Sequence, residues 1–207
     1  MTGITTPPGG AASTDQPPTA PDAADRLITA EEFLAMPDDG LRRELVDGRL
    51  TPPMSPAFGE HGEIATALLG RLVPHVWERR LGRVYDSSTG FVLARNPDRV
   101  RAPDVAFVAA ANLPARIRVR GFVEGPPDLA VEIVSPNDLL VDLEDRVAEF
   151  LAAGALAVWV INPRRRTVTM HGPDGAHRVV GEDATLDGGD IVPGFAMPVR
   201  DLFAWPV

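Results

Sequence analysis

Apolar residues recur at helical spacing in two long stretches of this chain and at strand spacing through much of the rest. Between Gly59 and Arg80, the residues Ile64, Leu68, Leu72 and Val76 return every fourth position, with Leu69 and Val73 beside them. That period predicts one long helix with a single apolar face, and Pro74 marks the point where it could kink. From Asp138 to Ala153, Leu143, Val147, Phe150 and Leu151 repeat the pattern, and Gly154 follows as a C-cap. Thr29-Ala30-Glu31-Glu32 is a capping-box sequence opening a short helix that stops before Pro37. Arg43 to Leu50 reads as a hairpin turning at Asp47-Gly48. Further strands are predicted at Phe91-Val92-Leu93, at Ala102 to Val108, at Leu129 to Val134 and at Ala157 to Ile161. The third of these is almost continuously apolar and is expected at the centre of a sheet. Thr167 to His171 and His177 to Val180 form an outer hairpin around Gly172-Pro173-Asp174-Gly175, and Ile191 to Phe203 closes the chain with a short strand and turn. This order of elements predicts an α/β fold with a mixed sheet flanked by helices.

At 207 residues the chain has room for one domain with a substantial core. Residues 1 to 26 are rich in Pro, Gly, Ala, Ser, Thr and Asp, with almost no large apolar side chains, which predicts a disordered tail ahead of a single domain at 27–207. There is no cysteine, so disulfides and thiolate metal sites are excluded. A bound metal would have to be held by oxygen or imidazole donors, a set that suits magnesium or manganese. No apolar run approaches the roughly 18 residues of a membrane span, and no secretory pattern opens the chain, so a cytoplasmic protein is expected. The net charge of −9 counts against a broadly basic nucleic-acid face, though not against a local one. All twenty basic residues are arginine. No phosphate loop, dinucleotide fingerprint, nucleophile elbow or zinc helix is present.

Two carboxylates interrupt apolar strand patterns: Asp104 before Val105-Ala106-Phe107-Val108, and Glu132 within Leu129-Ala130-Val131-Glu132-Ile133-Val134. A buried carboxylate is costly unless it is paired, protonated or metal-bound. A shared cation accounts for both residues at once; edge-strand exposure or separate arginine partners would account for each alone. Asp128 reads as turn chemistry after Pro126-Pro127. Arg116, Arg118 and Arg120 alternate along an extended segment that could contact phosphates, and Arg164-Arg165-Arg166 reads as a solvated turn.

Arg101-Ala102-Pro103-Asp104-Val105, followed by Pro126-Pro127-Asp128-Leu129-Ala130-Val131-Glu132-Ile133-Val134-Ser135-Pro136, resembles the PD-(D/E)xK nuclease superfamily. More narrowly it is similar to a large bacterial family of single-domain restriction-endonuclease-like proteins. Glu44-Leu45-Val46-Asp47-Gly48, Met54-Ser55-Pro56 with His61, Ala157-Val158-Trp159-Val160-Ile161-Asn162-Pro163 and Val192-Pro193-Gly194-Phe195 match further elements of that family in order, over residues 29 to 204. The resemblance implies a restriction-endonuclease-like fold and a metal-dependent endonuclease acting on DNA, with RNA left open and a homodimer possible. It implies that Asp104, Glu132 and the Ile133 carbonyl hold Mg2+, or Mn2+, that Glu44 helps to position the attacking water, and that His61 contacts phosphate or water nearby.

One departure bears on mechanism. The usual E-x-K lysine would fall at Val134, and the family's migrated basic position corresponds to Arg146, with Phe150 where a tyrosine is common. Arginine keeps positive charge near a scissile phosphate but cannot act as a general base. A solvated arginine near Asp142 or Glu149, an exposed Glu44 and a core-packed His61 are the bland readings of the same residues. The missing lysine, the acidic total and the absent recognition domain motivate a rival function, a non-catalytic module binding nucleic acid or a protein. A hydrolase of small phosphorylated molecules is a third.

Overall fold

The computed structural model describes residues 26–55, 58–113, 121–136 and 139–204. The expected tail, apart from Arg26, lies outside the described residues, as do Pro56, Asp138 and the alternating arginines at 116, 118 and 120.

Local signals decide the first elements. In α1 (Ala30–Leu34) the capping box forms: the Thr29 hydroxyl accepts from the Glu32 N–H at 3.1 Å, and the Glu32 carboxylate accepts from the Thr29 N–H at 2.9 Å. The hairpin β1 (Leu45–Val46) and β2 (Arg49–Leu50) turns through Asp47 and Gly48 at φ 50° and 72°, the left-handed pair that a two-residue turn requires. Helix α2 (Gly59–Arg79) buries Ile64, Leu68, Leu72 and Val76 and carries Pro74 within it.

The next strands are β3 (Gly82–Asp86), β4 (Phe91–Ala94), β5 (Arg99–Arg101) and β6 (Val105–Ala109). The strand expected from Ala102 to Val108 therefore starts three residues later, at Val105. Pro103 offers no N–H to a ladder, and Asp104 sits on the bend ahead of β6. Then follow β7 (Val123–Glu124), β8 (Leu129–Ile133), α3 (Leu140–Ala153), β9 (Ala157–Asn162), β10 (Thr167–His171), β11 (His177–Gly181), β12 (Thr185–Asp187) and β13 (Ala196–Pro198), ending in a 3-10 turn at Val199–Leu202. Gly154 caps α3 at φ 110°, as its sequence position predicts.

The main sheet runs β11-β10-β9-β8-β6-β3, with β8 and β9 parallel and joined by the α3 crossover. Both faces are covered. Val105, Phe107, Leu129, Val131 and Trp159 pack with the apolar stripe of α2 and the C-terminal segment. On the opposite face Ala130, Val158 and Val160 pack against Val147 and Phe150 of α3. A second, smaller sheet, β2-β1-β5-β4-β7, holds the N-terminal hairpin. The fold is a mixed α/β architecture of the kind expected, with the hairpin in a sheet of its own. Among the described residues no helix is long and apolar enough to cross a membrane.

Candidate active site

Among the described residues five charged side chains are buried: Glu44, Asp98, Arg101, Asp128 and Glu132. Two of them are accounted for locally. Asp98 accepts from the Ala30 N–H at 2.8 Å and from Arg95 at 2.8 Å, tying α1 to the small sheet. Asp128 accepts from the Ala109 N–H at 2.7 Å and from the Asn112 amide at 2.6 Å, so its side chain anchors the end of β6 as well as shaping its own turn. The other three converge.

Strand register brings the first pair together. In the antiparallel β6–β8 ladder Val105 faces Val131 and Ala106 faces Ala130, so continuing the register one step sets Asp104 opposite Glu132. Residues two apart share a face, so Glu132 lies with Ala130 on the α3 side of the sheet, and Asp104, on the bend just before β6, is near enough to add to its electrostatics. Asp104 Oδ2 accepts from the Ile133 N–H at 2.8 Å and lies 3.0 Å from His61 Nε2 in the first turn of α2.

Arg146 links this pair to Glu44. It stands one turn after Leu143 and one before Phe150, on the sheet-facing side of α3. Its Nη2 and Nε donate to the two oxygens of Glu132 at 3.0 and 3.2 Å, and its Nη1 donates to Glu44 Oε2 at 2.6 Å. Glu44 is 2% exposed and also accepts from Arg101 Nη1 at 2.8 Å and the Ala102 N–H at 2.8 Å. Arg101 in turn forks onto Glu149 at 2.6 and 2.9 Å. Charges thus alternate along one chain of contacts: Glu132, Arg146, Glu44, Arg101, Glu149.

The bland readings of two residues are corrected by this geometry. Glu44 is not an exposed strand carboxylate, and Arg146 is not solvated beside Asp142 or Glu149; its partners are Glu44 and Glu132. His61 is partly buried and engaged with Asp104. The Arg164–Arg166 turn stays peripheral, with Arg166 paired to Glu182 at 2.6 Å. The sequence by itself assigns no role to Arg101 or Glu149. The available signal was the Arg99-Val100-Arg101 alternation, which turns two guanidiniums to one side of β5 while Val100 enters the small-sheet core.

The electrostatics differ along the chain of contacts. Burial pushes the Glu44 carboxyl up, but Arg146, Arg101 and the Ala102 N–H together outweigh it and hold the group below the usual range. Glu132 goes the other way: burial, with Asp104 and Glu44 adding, outweighs Arg146 and raises it to about 7. The Arg146 guanidinium stays protonated, since its two carboxylates more than offset its own burial.

The donor chemistry fits a hard divalent cation. Asp104 and Glu132 are oxygen donors on adjacent strand ends, and Glu132 is short of positive charge even with Arg146 against it. Among the described residues no group of three or more acidic or imidazole side chains is arranged to hold a metal, and Arg146 forks both Glu132 oxygens.

Comparison with known proteins agrees with this architecture. No functionally curated protein matches the chain. A crystal structure from Anabaena variabilis ATCC 29413, described as a "putative nuclease belonging to DUF820", superposes with a TM-score of 0.72 at 22% identity, covering 85% of this chain and 97% of that one. Residues 30–200 match the Uma2 family, described as "Putative restriction endonuclease". With that match spanning the sheet, both long helices and every residue of the charged cluster, the chain belongs to the Uma2 family of restriction-endonuclease-like proteins.

Proposed function

We propose that this chain is a metal-dependent endonuclease that hydrolyses phosphodiester bonds of DNA. The supporting observation is that Asp104 and Glu132 come together at neighbouring strand ends of the main sheet, where Arg146 of α3 meets Glu132. In this reading Asp104, Glu132 and the Ile133 carbonyl hold Mg2+, or Mn2+. The ion, when bound, supplies a water of lowered pKa and a Lewis acid for the phosphate.

The remaining work falls to the chain itself. Arg146 is a fixed positive charge beside the cluster that offsets negative charge as it accumulates on phosphate oxygens, while most of its N–H donors stay committed to Glu132 and Glu44. It abstracts no proton. Glu44, kept ionised by its two arginines, holds Arg146 in place and would help to position a water through that guanidinium. His61 and the Ile133 N–H hold Asp104 Oδ2 from two directions and limit its rotation. Plasmid nicking in magnesium tests the proposal: wild type should nick, and Asp104→Ala or Glu132→Ala should abolish it. Absence of nicking by wild type in both magnesium and manganese sinks it.

One observation favours a second reading, a nucleic-acid-binding module without hydrolysis. The Arg146 fork on Glu132 supplies the compensating charge that a metal would otherwise bring. Magnesium titration separates the two, since a binding module has no magnesium site that depends on Asp104 and Glu132.

A further inference from the structure

Beside the charged cluster the surface opens into a cavity of about 400 Å3. Glu44, Arg101 and Ala102 belong to its wall, so a molecule seated there lies against the proposed active site. Its apolar part comes from Phe33, Val100 and Phe122, and the two phenyl rings stand 5.4 Å apart with a 33° tilt. Gly90 makes room for this arrangement: a Cβ there would meet Phe122 at 2.5 Å and Val100 at 2.9 Å. Arg42 and Arg43 supply the rim's positive charge. Arg42 donates to the Ala102 carbonyl at 3.2 Å and Arg43 to Asp39 at 2.9 Å, and a guanidinium has five N–H donors, more than these contacts consume. The hydroxyls of Ser87 and Ser88 complete the polar lining.

Aromatic faces beside guanidiniums suit a nucleotide: the base stacks on the rings, and the arginines take its phosphate. Typical small-molecule sites begin near 300 Å3, so the volume suffices for a base with its sugar. Two acidic residues also line the cavity. Glu44 is covered by its arginines, and exposed Asp38 can accept from an exocyclic amino group. A base paired within a duplex presents no free face to such a cavity; it has to be unpaired or extruded first. We infer that the cavity beside Glu44 and Arg101 binds one unpaired nucleotide of the substrate, so that the chain engages single strands and frayed ends in preference to intact duplex.

This inference rests on the proposed function in naming the substrate of the same cluster, but its test needs no hydrolysis. Fluorescence anisotropy of the full chain in EDTA compares fluorescein-labelled dT12 with a blunt 12-base-pair duplex at one salt concentration. The single strand should bind at least about tenfold more tightly, a factor in the range of one stacked base. Phe122→Leu, which keeps apolar volume and removes the stacking face, should cost about tenfold for the single strand and leave the duplex unchanged. Gly90→Ala should act in the same direction by displacing the Phe122 ring, with Trp159 emission reporting the fold. Equal affinity for both probes, no binding of either, or a Phe122→Leu chain that binds like wild type overturns the inference. Loss of nicking alone, with single-strand preference intact, overturns only the hydrolytic reading.

Discussion

Replacing Glu132 by glutamine should remove a pH-dependent destabilisation that the wild-type chain carries. Burial, reinforced by Asp104 and Glu44 and opposed by Arg146, raises the Glu132 carboxyl from 4.5 to about 7. Between those values the folded chain holds a proton that the unfolded chain has released. Stability from this group is therefore fully present below pH 4.5 and falls as pH rises towards 7, the reverse of an ordinary salt-bridged carboxylate. Raised that far, the carboxyl accounts for about 3 kcal/mol in full, most of which develops between pH 5 and pH 8. Glutamine does not titrate, and whatever it loses in hydrogen bonding to Arg146 is the same at both pH values. The variant should thus gain about 2–3 kcal/mol on wild type between pH 5 and pH 8. Urea unfolding in EDTA measures this through the change in tryptophan emission as Trp159, which is 2% exposed in the fold, meets solvent. A stability difference that stays constant with pH, or one that moves in favour of wild type, would refute the electrostatic reasoning.

Four further outcomes are expected. Asp104→Ala or Glu132→Ala should abolish magnesium-dependent plasmid nicking. Magnesium at a hundred times its dissociation constant should stabilise wild type by about 2.7 kcal/mol and leave Asp104→Ala unmoved, as read by thermal unfolding with and without EDTA. Arg146→Ala strips Glu132 and Glu44 of a shared partner and should cost about 3–5 kcal/mol in urea unfolding, while Arg146→Lys, which keeps the charge but not the fork, should cost less. Gly82→Ala would put a Cβ 2.0 Å from the Val108 carbonyl oxygen, so hydrogen exchange should show the β3–β6 edge opening, with a loss of roughly 2 kcal/mol or more.

Much of this architecture depends on local physics and was readable along the chain. The Thr29 capping box, the Asp47-Gly48 turn, the Gly154 cap and the four-residue period of α2 each depend on neighbours within a turn or two. Asp104 and Glu132 stood out because a charge in an apolar run contradicts its own surroundings. Where tertiary context decides, the same reading went astray. Ala102 to Val108 looked like one strand, yet its first three residues form the link between β5 of the small sheet and β6 of the main one, and the two-residue β7 and the half-buried β3 carry too little apolar pattern to announce themselves.

The charged cluster divides along the same line. Sequence alone marked which carboxylates needed an explanation and that an arginine, not a lysine, would have to serve beside them. It could not assign partners. Arg146 meets Glu44 across 102 positions and Arg101 meets Glu149 across 48, distances along the chain over which no periodicity carries information. Those pairings exist because sheet register aligns Asp104 with Glu132 and because α3, crossing from β8 to β9, lays one face over both. Local propensity chooses the elements; only their packing chooses which charges must share a low-dielectric space, and so which of them are held ionised and which are not.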